Sequence, residues 1–142
     1  MKNKKYKPLI DKQFYAIWIP TMVLLIALTV VSLFYLGALI IMIITDVFTF
    51  YFLFSSLCGY VELREKSVFI KFGFILKREI DYGKIRKVTK ERKFYSDSML
   101  SLKNSMEHVN IKYNRFDIVC VSVIKNDEFI EELESRIKNI KA

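Results

Sequence analysis

An α+β architecture is expected for this chain: an N-terminal transmembrane helical hairpin, then a small antiparallel β domain capped by a C-terminal α-helix. Three observations carry that expectation. Residues 14–58 hold a single charged side chain, Asp46, in 45 positions. From Gly59 onward, apolar and polar residues alternate in short runs, the pattern of half-buried strands. The final segment repeats apolar residues at helical spacing. The chain therefore divides into a basic cytoplasmic tail (1–13), a two-helix hairpin (14–58) and a cytoplasmic polar domain (59–142).

Composition narrows the classes further. A chain that is 53% hydrophobic has enough apolar material to fold, which excludes a disordered chain. Two cysteines, four glycines and two prolines exclude a disulfide-dense scaffold and a collagen-like repeat. The net charge of +8 is segregated. Five lysines and one aspartate fall in the first 13 residues, whereas residues 59–142 carry 18 Lys/Arg against 13 Asp/Glu.

One crossing of the hydrocarbon takes about 20 residues, so the apolar block suits two. The break is expected near Tyr35-Leu36-Gly37, giving helices over about Phe14–Phe34 and Ala38–Cys58, with Pro20 in the second turn, where proline costs less than at mid-helix. A cleaved signal peptide has a far shorter apolar core, and a soluble helical hairpin would show a polar stripe that is missing between Val23 and Ile44. Lys2, Lys4, Lys5, Lys7 and Lys12 precede the block, Arg64 and Lys66 follow it, and the turn is uncharged. The positive-inside rule then places both termini of a two-pass cell-membrane protein in the cytoplasm. Tyr15 and Trp18 fall near the inner interface, and Phe48, Phe50, Tyr51, Phe52 and Phe54 crowd the inner half of the second helix.

Asp46 lies about 12 Å into the second helix at 1.5 Å per residue. A charge at that depth costs a few kcal/mol. It is expected to be neutral, to bond to a hydroxyl such as Thr45, Thr29 or Ser32, or to sit at a partner interface. An oligomer contact, an ion path, a contact with a membrane-active ligand and a neutral acid tolerated within the hairpin all stay open for it.

In the polar domain, Tyr60–Arg64 alternates and Glu65-Lys66-Ser67 turns. Val68–Phe74 is β-rich, with Gly73 suiting a bulge. Ile75–Ile80 and Ile85–Val88 read as strands around a turn at Asp81-Tyr82-Gly83. His108–Tyr113 and Phe116–Val123 follow, for about six strands in an antiparallel meander. Residues 94–107 form a Ser-rich connection with one short strand around Met99–Leu102; loops this long often carry binding. Asn126 or Asp127 is expected to cap the last helix, whose stripe is Phe129, Ile130, Leu133, Ile137 and Ile140.

The order of elements resembles a known family. The residues carrying the resemblance are Gly59-Tyr60-Val61, Val68-Phe69-Ile70-Lys71-Phe72-Gly73, Ile80-Asp81-Tyr82-Gly83-Lys84-Ile85, Ser101-Leu102 and Asp127-Glu128-Phe129-Ile130-Glu131-Glu132-Leu133. They are similar to the YyaB-like bacterial pleckstrin-homology (PH) proteins, which include sublancin-immunity-type membrane proteins. Val121-Ser122-Val123-Ile124-Lys125-Asn126 replaces the proline-containing turn usual there before the last helix. The resemblance implies a PH-like β-barrel or sandwich capped by the C-terminal helix, and it supplies no catalytic residues.

No enzyme signature is present: there is no phosphate-cradling glycine loop, nucleophile elbow or metal-binding HExxH. His108 falls in a strand pattern and reads as a packed or edge histidine. Cys58 and Cys120 suggest neither a cytoplasmic disulfide nor a metal site, so no cofactor is expected. The sharpest charge feature is Lys84, Arg86, Lys87, Lys90, Arg92 and Lys93, six bases with one acid in ten residues. Held near the inner leaflet, such a segment would gain about 1 kcal/mol per base from anionic lipid. It could equally be a solvated strand edge whose lysines block edge pairing. Nucleic acid is disfavoured, since no helix-turn-helix, zinc finger or RNP motif accompanies the membrane anchor.

The leading functional expectation is bacteriocin immunity: a membrane-anchored protein that shields its producer through a cationic PH-like domain at the inner face, with anionic lipids and a bacteriocin peptide as partners. The alternative is a membrane-tethered PH-like scaffold that binds lipid or a protein partner in envelope homeostasis. A homo-oligomer remains open through Asp46 and the aromatics of the second helix.

Overall fold

The computed structural model describes residues 2–99 and 101–142. Met1 and Leu100, which fall in the predicted tail and the predicted loop strand, lie outside the described residues. The elements run β1 (Lys4–Tyr6), α1 (Lys12–Ser32), α2 (Leu36–Cys58), β2 (Tyr60–Leu63), β3 (Ser67–Lys71), β4 (Lys77–Asp81), a 3-10 turn (Tyr82–Lys84), β5 (Ile85–Arg92), β6 (Ser101–Leu102), β7 (Glu107–Tyr113), β8 (Asp117–Val121) and α3 (Asn126–Lys141).

Helices α1 and α2 are both long and apolar enough to cross a membrane, and neither is buried within the protein. A buried soluble hairpin is thereby set aside, because its apolar side chains would be covered. Helix α1 begins two residues earlier than expected because Asp11 caps it. Its Oδ1 accepts from the Gln13 and Phe14 amides at 2.9 and 3.4 Å, satisfying N–H groups that the first turn leaves free. Pro20 is consequently the ninth helical residue rather than a second-turn one. The connection is Leu33–Tyr35, and Gly37, expected in the turn, lies inside α2 with open space around it.

The polar domain is a two-layer sandwich rather than a single meander. One sheet has the order β1-β2-β3-β4 and is antiparallel throughout; the other has the order β5-β7-β8-β6, with β6 parallel to β8. Val61, Leu63, Val68, Ile70 and Ile80 from the first sheet face Ile85, Val109, Ile111, Val119 and Val121 from the second. Phe129 and Leu133 of α3 close the core, as their 3.6-residue spacing requires. Ile130 and Ile137 pack partly against it, and Ile140 is exposed.

Two further expectations need correction, and the Ser-rich loop, which holds its expected short strand as β6, does more than connect. Residues 1–13 are not simply a tail. Lys4–Tyr6 adds an edge strand, pairing Tyr6 with Val61, and the Tyr6 ring packs edge-on at 5.2 Å against Phe129. Burial of that one aromatic fixes a strand too short to show a pattern. The Ser-rich loop folds back over the outer face of the second sheet: Ser98 donates to the Ile118 carbonyl at 2.5 Å, and Asn110 donates to Asp97 at 3.3 Å. This cover is why His108, Asn110 and Cys120, on the face away from the core, are all buried. Finally, neither Asn126 nor Asp127 caps α3. Lys125 occupies the cap position in a left-handed conformation, and Asn126 instead accepts from the Val123 amide at 3.0 Å, closing the turn out of β8.

Candidate functional site

Two features bear on function: the junction where the hairpin meets the sandwich, and the basic run on β5. The junction is held from both helices. Beyond capping α1, Asp11 accepts from the Met106 amide through Oδ2 at 3.0 Å. Asn104 donates its side-chain amide to the Ser56 carbonyl in the last turn of α2 at 2.9 Å. Leu9 and Ile124 add backbone bonds to Ser122 and Lys7, each 3.0 Å. Gly73, at φ +132°, lies against Ser55 so closely that a Cβ would fall 1.7 Å from the Ser55 hydroxyl. Only glycine fits such an approach in that conformation. Beside this junction lies a cavity of about 410 Å³, lined in part by Phe14, Ile17 and Trp18 of α1, Ser56, Phe94 and Lys103. Lys103 donates to the carbonyls of Lys93 and Tyr95, and burial lowers its pKa.

The same geometry orients β5. Its C-terminal end runs into Phe94 at the junction cavity, while Ile85 at its start pairs with Tyr113, next to the Asn114–Phe116 turn. An eight-residue strand is roughly 25 Å long, so the six predicted bases are strung out from the hairpin rather than gathered beside it. Strand alternation also splits them between faces.

Internal ion pairs divide them further. Lys84 pairs with Asp81 at 3.5 Å. Lys90 reaches Asp127 at the start of α3 at 2.8 Å and Glu107 at 3.8 Å, and the Asp127 bond raises its pKa. Lys93 lies 2.7 Å from Glu91 and 3.4 Å from Asp97, and the Glu91 bond foremost pushes it up to about 12. Arg86, Lys87 and Arg92 have no ion pair among the described residues. Arg86 occupies a register shift between Ile85 and Lys87, and Lys87 stands directly opposite Lys112 on β7. Arg86, Lys87, Lys112, Arg115 and Phe116 line a shallow cavity of about 350 Å³ at the end of the domain away from the hairpin.

Within the hairpin, Asp46 takes one of the three hydroxyls expected for it. Thr29 donates to its Oδ2 at 2.8 Å. The same hydroxyl lies 2.8 Å from the Leu25 carbonyl, while Thr45 and Ser32 bond to backbone carbonyls of their own helices. Oδ1 of Asp46 is buried without a partner. Among the described residues, no group of three or more His, Cys, Asp or Glu is placed to hold a metal ion. Both cysteines are free.

Sequence reasoning missed Asp11, Asn104 and Gly73 as junction residues. Asp11 directly before a long apolar run was a readable cap signal. Asn104 had none, because its partner Ser56 is 48 positions away.

Comparison with curated proteins and with solved structures gives no match. The family model described as "Bacterial PH domain" matches residues 58–137. That span opens at the last residue of α2, takes in both sheets except β1, and ends within α3, so it coincides with the sandwich and its closing helix. It covers more than half of the chain, and the protein therefore belongs to the bacterial PH domain family.

Proposed function

We propose that this protein is an integral membrane anchor carrying a PH-like binding module at the cytoplasmic face. The observation that supports it best is the junction. Asp11 and Asn104 tie both apolar helices to the same loop of the sandwich, so the domain is held at a fixed attitude to the hairpin rather than swinging on a linker. Basic residues precede α1 and follow α2, which favours both ends in the cytoplasm. A module so held serves to bind at a surface, and lipid or a protein partner in the envelope fits that role. No catalytic role is assigned to any residue.

The finer reading is bacteriocin immunity, which rests on the resemblance to sublancin-immunity-type proteins. In that reading Arg92, at the hairpin end of β5, competes with a cationic peptide for anionic lipid, and Arg86 and Lys87, at the end away from the hairpin, repel it from the inner face, while Lys84, Lys90 and Lys93 are engaged in ion pairs within the domain. Expression in a sensitive strain challenged with a panel of bacteriocins tests it. Protection against one of them, lost in an Arg86→Glu/Lys87→Glu variant that still folds, is the expected result. No protection against any would discard immunity and leave the scaffold reading.

A further inference from the structure

We infer that the β3–β4 loop, Phe72–Leu76, is a second membrane contact: an apolar wedge set into the acyl–headgroup boundary of an anionic bilayer beside α2. This inference rests on the reading of α2 as membrane-spanning. Phe74, Ile75 and Leu76 are 46, 74 and 57% exposed, three consecutive large apolar side chains at a hairpin tip. In water such a run is unfavourable.

The position of the loop says what covers it. The loop runs back along α2 instead of away from it. Gly73 touches Ser55, and the Phe74 ring lies 5.7 Å from that of Tyr51. Tyr51 is seven residues before the end of α2 at Cys58, about 10 Å along the helix axis. If α2 crosses the bilayer, Phe74 shares the depth of Tyr51, within the 5–10 Å to which interfacial elements are typically buried.

The charges agree. Lys71 and Lys77 are direct cross-strand partners at the neck of the loop, and neither has an ion pair among the described residues. Like charges directly opposite are destabilising, and an anionic headgroup layer at that level relieves the repulsion. An apolar tip with a lysine collar matches that boundary. Gly73 makes the approach sterically feasible.

The test uses the full chain with Cys58→Ser, reconstituted in phosphatidylcholine–phosphatidylglycerol vesicles. An environment-sensitive fluorophore is placed in turn at Ile75→Cys, Ile44→Cys within α2, and Arg115→Cys at the far end of the domain. All three sites are exposed, so labelling leaves the core intact. The expected result is blue-shifted emission and severalfold stronger quenching by spin-labelled lipid at 75 than at 115, with 44 quenched as well. Replacing Lys71 and Lys77 by Gln should reduce the effect of phosphatidylglycerol at 75. If 44 is quenched while 75 is as water-exposed as 115, the wedge is wrong and the anchor stands. If neither 44 nor 75 is quenched, the membrane-spanning reading falls, and the wedge with it.

Discussion

Thr29 on α1 donates its hydroxyl to the Asp46 carboxyl on α2 at 2.8 Å, the one side-chain hydrogen bond seen between the two apolar helices among the described residues. It joins two elements that otherwise meet through apolar contact, which in lipid provides no hydrophobic drive for association. Thr29→Val leaves both Asp46 oxygens without a donor. The hairpin should lose about 1 kcal/mol, the usual size of such bonds between membrane helices. Thr29→Ser should retain most of it, and Asp46→Leu should make the Thr29 substitution neutral. Equilibrium unfolding in mixed micelles, run as a double-mutant cycle, measures this.

Arg136 ties α3 to the end of the first sheet where β1 begins and β2 finishes. Its side chain is 4% exposed. It donates to Glu132 at 2.8 Å and to the backbone carbonyls of Leu63, Arg64 and Lys2 at 3.3, 3.0 and 2.8 Å. Tyr82 donates to the same Arg64 carbonyl at 2.7 Å. Arg136→Ala strips several buried acceptors at once, and a loss of about 2–3 kcal/mol is expected. Arg136→Lys should recover only part, because an ammonium cannot span three separated carbonyls as the planar fork does. Denaturant unfolding of the full chain in detergent distinguishes the two.

Gly73 combines a positive φ with a contact that excludes a Cβ. Gly73→Ala should cost roughly 1–3 kcal/mol through backbone strain alone, and the clash with Ser55 should pull the loop from α2. Ser55→Gly in the Gly73→Ala background should restore part of the loss by removing the side-chain clash, while the strain and the 3.0 Å approach to the residue 55 carbonyl stay. Thermal unfolding of the unmodified protein, the Gly73→Ala variant and the Gly73→Ala/Ser55→Gly variant checks the order.

Acid should loosen the short strand β1. Glu128 lies 2.5 Å from Lys4 and 3.1 Å from Lys125, and the Lys4 bond foremost holds its pKa below the ordinary 4.5. A depressed folded pKa contributes stability that is present above the unfolded value and lost as pH falls through the folded one. The contribution should therefore be intact above pH 4.5 and disappear below it. Lys4 is shifted up from 10.5 by the same bond, so the link also weakens as pH rises beyond that value. Hydrogen exchange at the Tyr6 amide should quicken in acid relative to the β7 amides, beyond the intrinsic change. Glu128→Gln should abolish that difference.

Much of the architecture could be read from residue patterns, for identifiable reasons. The 45-residue stretch with one charge leaves no other use for its length, and the helical stripe from Phe129 to Ile137 has one face to bury. What escaped depended on distant partners. Lys90 looks available in the sequence because Asp127 is 37 positions away. Buried arginines are rare enough that Arg136 reads as solvent-facing, and its carbonyl partners are more than 70 positions distant. The parallel pairing of β6 with β8 leaves no local trace, since Ser101-Leu102 is two residues long. The basic run was visible as composition, but its division into paired and unpaired bases follows from strand alternation and from where α3 begins.

The orientation of the anchor is decided most directly by cysteine accessibility in intact cells. In a Cys58→Ser background, Gly37→Cys marks the start of α2 and Arg115→Cys the far turn of the domain, while Cys120 is buried and silent. A membrane-impermeant maleimide should label position 37 in intact cells and position 115 only after the membrane is opened. Labelling of 115 in intact cells, or protection of 37 until permeabilisation, would contradict a two-pass anchor with its PH-like domain on the cytoplasmic side.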